Sequence, residues 1–426
     1  MNSLDPAILP STSAVAAGRT KRLSPRAAFL LQASLTVGFL AGASAPTPLY
    51  PLYQSEWGFS SLGVTMVFGI YALAVLGTLL VFGRISDHIG RRPVLLAATI
   101  GQALSMLLFA RADGLDALLV ARVVQGLAAG SALAAIGAGM LDLDRERGAT
   151  ANALTPPIGT ALGGIASGLL VSLLPAPAQS VYLLFGVVFI AQAIALCFME
   201  ETRPPRAGAL ASLKPQFRFP ARTRGPLLRA VPAIIAAWAL AGFFAALGPA
   251  MVRGILGVDS PLLSGIAVFI FAGSGAIAVL LLSHLEPTHT LRLGAGALLV
   301  GVLIVMAGLL AHSGALFLAG SIISGVGFGT GFQGAVRSVL ATADPNERGG
   351  LVSVILVIAY LAMGLPALGA GYLLAHGGTL PGTVREFAGL VVVLSGLALA
   401  GGMGRSALPV PRLEAKVFPQ PSHCKE

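Results

Sequence analysis

The chain has 426 residues, of which 56% are apolar and only 10% charged, with a net charge of +10. A soluble domain carries about 25% charged residues, so this composition cannot cover a globule of this size with a water-facing shell. It also fits neither intrinsic disorder nor nucleic-acid binding, and two cysteines leave no disulfide framework and no cysteine-based metal cluster.

Twelve apolar runs recur at 27–49, 62–82, 93–110, 117–140, 150–174, 180–199, 231–252, 262–282, 293–311, 315–336, 351–374 and 386–403. Each is near the ~20 residues that a spanning helix needs, and they are too long and too uniform for barrel strands. The expected fold is an all-α integral membrane protein of twelve transmembrane helices. Residues 1–26 form a polar N-terminal tail ending in Arg19, Lys21, Arg22 and Arg26. The run that follows is too long for a signal-peptide core and is read as an uncleaved first span. Its far end carries Pro46, Pro48 and Pro51, which break the helix either as a gate or as a plain terminus with interfacial Tyr50 and Tyr53.

Between the second and third spans the chain reads Gly83-Arg84-Ile85-Ser86-Asp87-His88-Ile89-Gly90-Arg91-Arg92-Pro93. Gly83 and Gly90 permit a tight turn, Pro93 suits a first helical turn, and Asp87 can accept from Arg91, Arg92 or the free N–H groups of a helix start. The string resembles the loop signature G-x-x-x-D-x-x-G-R-[RK] of the major facilitator superfamily, with Gly83, Asp87, Gly90, Arg91 and Arg92 filling every position. The resemblance implies a cytoplasmic gating loop whose carboxylate meets the start of the eleventh span, just after Gly349-Gly350, when the other face is open.

The fourth span contains Leu118-x-x-x-Arg122-x-x-Gln125-Gly126-x-x-x-Gly130, similar to the superfamily's L-x-x-x-R-x-x-Q-G. An arginine in a span implies function or a buried partner, and the resemblance assigns Arg122, Gln125 and Gly126 to coupling or substrate charge. The competing reading is a snorkelling arginine, about seven residues or ~10 Å from the span end. In the fifth span, Thr155-Pro156-Pro157-Ile158-Gly159-Thr160-Ala161-Leu162-Gly163-Gly164 resembles a degenerate antiporter signature of drug-exporting members. Pro157, Gly159, Gly163 and Gly164 hold their places, Pro156 replaces the expected glycine, and a bend is the local consequence.

The stretch 200–230 is a basic linker dividing six spans (27–199) from six (231–403), and 404–426 is a proline-bearing C-terminal tail expected to be disordered. An ungapped shift of 201 residues superposes Arg91 on Arg292, Gly126 on Gly327, Gly130 on Gly331 and Glu146-Arg147-Gly148 on Glu347-Arg348-Gly349. The halves are therefore read as a parallel, pseudo-symmetric duplication. With both termini cytoplasmic, 23 of the 27 Lys and Arg lie in inside segments, and the excess charge reads as topology and contact with anionic membrane lipids. By resemblance, spans 1, 4, 7 and 10 line a central cavity, which nominates Gln32, Thr36, Trp238, Phe243, Phe244, Phe328, Phe332 and Gln333.

All 17 Asp and Glu fall in loops, tails or span ends, so a proton-coupling carboxylate, which burial would tune, has no place in a span interior. A cationic substrate would lack a counter-charge there. No P-loop for ATP hydrolysis occurs, no span holds an enzymatic constellation, and no cofactor is implied. The expectation is a monomeric, secondary-active transporter of the bacterial inner membrane. It exports drug-like or hydrophobic small molecules, with protons as the coupling ion that the resemblance suggests. Uptake or exchange of a small neutral or anionic metabolite, and a non-transporting sensor or scaffold on the same fold, are the alternatives.

Overall fold

A computed structural model describes residues 22–213, 221–344 and 347–403. Both tail ends (1–21, with Arg19 and Lys21, and 404–426, with Cys424) and the linker positions 214–220 lie outside the described residues. Among the described residues, twelve helices are long and apolar enough to cross a membrane. They are α1 Pro25–Ser44, α2 Ser61–Phe82, α3 Arg91–Ala110, α4 Leu115–Leu143, α5 Arg145–Leu173, α6 Pro177–Cys197, α7 Ala221–Leu256, α8 Pro261–Leu281, α9 Pro287–Leu310, α10 Gly314–Leu340, α11 Arg348–Ala375 and α12 Leu380–Met403. No strand occurs among the described residues.

Local chemistry sets several boundaries. Ser24 caps α1 by accepting from the Ala27 N–H, with Pro25 at the first helical position. Ser260 and Ser313 cap α8 and α10 in the same way. Asp144 alone separates α4 from α5 and caps α5 through the Arg147 N–H, so the expected nine-residue loop between these spans is mostly helix. The first span ends at Ser44, five residues early, because Pro46 and Pro48 cannot donate into it. A 3₁₀ turn, Thr47–Leu49, and a short helix, Tyr50–Trp57, follow. Helix α7 starts at Ala221, ten residues before the predicted span. Its 36 residues would extend ~54 Å, well beyond a ~30 Å hydrocarbon core, and its first turns carry Arg222, Arg224 and Arg229.

The packing repeats with a period of six helices. Helix α4 packs on α2 and α3, α3 on α6, and α1 on α5; likewise α10 packs on α8 and α9, α9 on α12, and α7 on α11. Contacts refine the register of that repeat. Gly126 and Gly130 face α2, where added Cβ atoms would clash with Ala74 and Thr78, whereas the glycines of α10 that face α8 are Gly325 and Gly329. The ungapped pairing with Gly327 and Gly331 is two residues out in this helix, because those two face α9 instead. The halves join along α2–α11 and α5–α8, pairs that the same repeat relates to each other.

Candidate functional site

The face bearing the linker is called here the linker face, and the opposite one the far face. At the far-face end of α1, proline chemistry dictates the site. Pro46 has no N–H, so the Gly42 carbonyl four residues earlier loses its helical donor. Gln125 Nε2 donates to it at 3.0 Å. Arg122 Nη1 donates to the Ala43 carbonyl at 3.0 Å and to Gln125 Oε1 at 2.6 Å, and Nη2 donates to the Tyr50 hydroxyl at 2.8 Å. The guanidinium lies over the rings of Tyr71 and Phe109, 5.2 and 5.5 Å from their centroids, and the side chain is fully buried. It therefore does not snorkel. Its charge is held by one main-chain oxygen, the Gln125 amide oxygen, a phenol and two ring faces instead of a carboxylate. Gly126 serves close packing on α2 and points away from this network.

The broken end is also a junction between helices. Ser44 Oγ donates to the Thr160 carbonyl of α5 at 3.0 Å, Ser167 Oγ to the Ala45 carbonyl at 2.5 Å, and Thr47 Oγ1 to the Ala245 carbonyl of α7 at 3.1 Å. The α5 glycines work on two sides. A Cβ on Gly159 would lie 2.6 Å from the Val37 carbonyl oxygen of α1, and Gly163 sits equally tightly on Ala41 and Ser44. Gly164 meets Val268, and a Cβ on Gly168 would lie 2.7 Å from the Pro261 carbonyl oxygen of α8. Pro156 and Pro157 lie inside the continuous helix. In the other seam, Gly69 meets Leu368 and Gly371 meets Thr65. These contacts between halves all lie toward the far face. Among the described residues no comparable packing joins α4 or α5 to α10 or α11.

The nominated cavity residues separate into three groups. Gln32 and Thr36 are buried inside the first half, Gln32 against Gly139 of α4 and Met199. Phe243 stacks on Phe387 of α12, and Phe244 on Phe271 of α8, at ring separations of 4.1 and 4.6 Å. Trp238, Phe328 and Phe332 come together, with the Trp238 ring 6.1 Å from Phe328 and 5.2 Å from Phe332. All three are half-buried, as is Gln333. Tyr360 of α11 completes this cluster at 5.2 Å from Trp238. Sequence reasoning missed it because α11 was not counted as lining.

On the linker face the loop signature folds into a charge relay. Arg91 is almost fully buried and bridges Asp87 at 2.7 Å and Asp142 of the α4 end at 3.2 Å, while Nη1 also donates to Ser86 Oγ at 2.7 Å. Gly90 adopts φ +101°, and a Cβ there would collide with Glu201. Glu201 accepts from the backbone N–H of Arg91 and Arg92 at 2.8 and 3.0 Å. It thus neutralises the positive start of α3 from just beyond α6. Arg92 donates to the carbonyls of Leu196 and Cys197. The linker continues along this loop, with the Arg206 N–H donating to the His88 carbonyl at 2.7 Å. Gly83 closes α2. At the other end of the linker, Arg222 pairs with Asp344 and Glu347 of the α10–α11 connection. The Asp87 carboxylate is thus engaged within its own half. Glu201 carried no signal in the sequence beyond its place after a span.

Residues 32–367 match the family described as Major Facilitator Superfamily. Among curated proteins, a segment of 163 residues is 28% identical to the multidrug resistance protein MdtL of Klebsiella pneumoniae (strain 342), covering 36% of this chain and 40% of that one. A segment of 80 residues is 34% identical to MdtL of Shewanella sp. (strain ANA-3), covering 19% and 20%. The matched segments thus span less than half of those relatives' lengths. Among solved structures, a bacterial homologue of the human lysosomal transporter Spinster, inward-facing and occupied, aligns with a TM-score of 0.67 at 13% identity over 88% of this chain and 94% of that one. The human organic anion transporter MFSD10 aligns at 0.62 and 17% identity, over 88% and 100%.

Proposed function

Since this chain belongs to the Major Facilitator Superfamily, and is thereby a multi-pass membrane transporter, we propose that it is a secondary-active exporter of hydrophobic, drug-like molecules working by alternating access. The observation that carries this reading is the asymmetry of contact between the halves. They are clasped along two glycine-lined seams at the far face, while the signature loop on the other face is tied within its own half. Such an arrangement supports a carrier whose one gate is shut and whose other gate is released. The basic loops on the linker face favour a cytoplasmic placement of that face in a plasma membrane, so the conformation is open to the cytoplasm. The aromatic group Trp238, Phe328, Phe332 and Tyr360 offers ring faces and no charge, which suits an uncharged aromatic substrate. The MdtL resemblance leans toward export.

The test is retention of a lipophilic fluorescent dye in bacteria expressing the protein, with and without a protonophore. Wild type should lower dye retention, the protonophore should restore it, and Asp87→Asn should export several-fold more slowly at equal expression. Unchanged dye retention with the protein confirmed in the membrane would overturn export of this class. Uptake or exchange of a small neutral or anionic metabolite would then be the reading to test.

A further inference from the structure

Helix α11 begins on an uncapped turn. Glu347 stands at its N-cap position, yet the side chain makes no capping bond to the helix, although a carboxylate there would meet free N–H groups and the positive end of the dipole. It is turned away instead. Glu347 Oε2 accepts from the Asp344 N–H at 3.1 Å and from Arg222 Nη2, which also donates to Asp344 Oδ2. Arg348 is folded back as well, its Nε donating to the Ala343 carbonyl at 3.4 Å, and a Cβ on Gly349 would meet nothing within 4 Å. The equivalent helix of the first half differs. There Asp144 caps α5 through the Arg147 N–H at 3.0 Å, and in the ungapped repeat Asp144 falls opposite Pro345. The Arg222 side chain is 48% exposed, and exposed ion pairs add little to stability. What these pairs do fix is the direction of the Glu347 carboxylate.

The register of the α2–α11 seam shows what faces this turn when the linker face closes. The helices run antiparallel, with Gly371 against Thr65 and Gly364 against Ala72, seven residues apart in each. Continued fifteen residues more, past the end of α2, the same register brings Asp87 level with Gly349. Asp87 is bound to Arg91 but 44% exposed, which leaves room for a second partner. We propose that Arg222 is a positioning residue for closure of the linker face: it draws the Glu347 carboxylate off the start of α11 and leaves that start to Asp87 of the other half. Two carboxylates repel at one helix end, the more so as closure excludes water. Without the arginine, Glu347 caps its own helix and Asp87 is turned away. The role rests on the alternating-access reading above, and it adds a residue outside the signature loop that sets the balance between the two conformations.

Closure is read as a distance. In a background with Cys197 and Cys424 changed to serine, spin labels are placed on Thr150→Cys in α5 and Thr342→Cys just beyond α10, both exposed. Their separation is measured by pulsed electron resonance on the full-length protein in lipid nanodiscs. Wild type should show a long and a short population. Arg222→Gln should reduce the short one at least threefold, and adding Glu347→Gln should restore the wild-type ratio. A residue that merely tethers the linker would give no such rescue, because losing its second partner cannot rebuild the tether. An unchanged ratio in Arg222→Gln, or no recovery in the double variant, would overturn the role of Arg222 while leaving the two conformations standing. A single distance in wild type and in every variant would overturn alternating access itself, and this role with it.

Discussion

Arg122 is fully buried and places a full charge among the spans with no ion-paired carboxylate among the described residues. Its burial is explicable only together with Pro46. Removing the N–H at position 46 creates an acceptor at Gly42, and the fraying that follows exposes Ala43, so the arginine and Gln125 replace missing backbone donors. Truncating a buried charged donor costs about 1.5–3 kcal/mol for each hydrogen bond lost, offset in membranes by partners found in the unfolded state. Arg122→Ala should therefore lower stability by about 2–4 kcal/mol, and Arg122→Lys should recover less than half of that because an ammonium cannot reproduce the fork. Thermal unfolding in detergent checks both; an alanine variant as stable as wild type would show that the network is dispensable. At this scale the sequence was only half legible. An arginine inside a span announced itself, but the Ala43 and Gly42 carbonyls that it and Gln125 hold are main-chain oxygens, which carry no residue identity. The spacing of four residues from Gly42 to Pro46 was the signal that could have revealed them. Glu201 was illegible for another reason, being 110 residues from the backbone N–H it accepts from.

At the scale of elements, the α5–α8 seam is the part whose chemistry is most restrictive. Gly164, Gly168 and Gly265 bring backbone within contact of backbone, and no larger residue fits without parting the helices. Overpacking costs about 1–3 kcal/mol, which acts on only one of the two conformations of a rocking carrier and shifts their ratio by roughly 5- to 150-fold. Gly168→Leu should accordingly open the far face. Ser264 lies buried in α8 near this seam, and Ser264→Cys provides the reporter. Its reaction with a membrane-impermeant maleimide should accelerate at least tenfold in the Gly168→Leu background, and an unchanged rate would remove the seam from the gate. The twelve helices were readable beforehand, because long apolar runs have few other causes. The two-residue register shift in α10 was not. Glycine makes up 54 of the 426 residues, and chance matches hid which face each glycine serves.

For the whole molecule, closure at one face predicts that fixing that face stops the cycle. Thr47 and Ala245 touch across the halves at the far face. In a background with Cys197 and Cys424 changed to serine, Thr47→Cys with Ala245→Cys bridged by a short thiosulfonate cross-linker should lose at least nine-tenths of its transport. Reductant should restore it, and full activity in the cross-linked protein would show that the halves need not part there.

The linker adds a mechanical condition. One end is fastened to the first half by Glu201 and Arg206, and the other to the second half by Arg222 with Asp344 and Glu347. Sixteen residue steps separate the Arg206 anchor from the Arg222 anchor, and a polypeptide reaches at most ~3.6 Å per residue, so this leash is at most ~58 Å long at full stretch. A wider swing of the two halves would have to tear out one of its anchors. The linker thus bounds how far its two anchor points can separate.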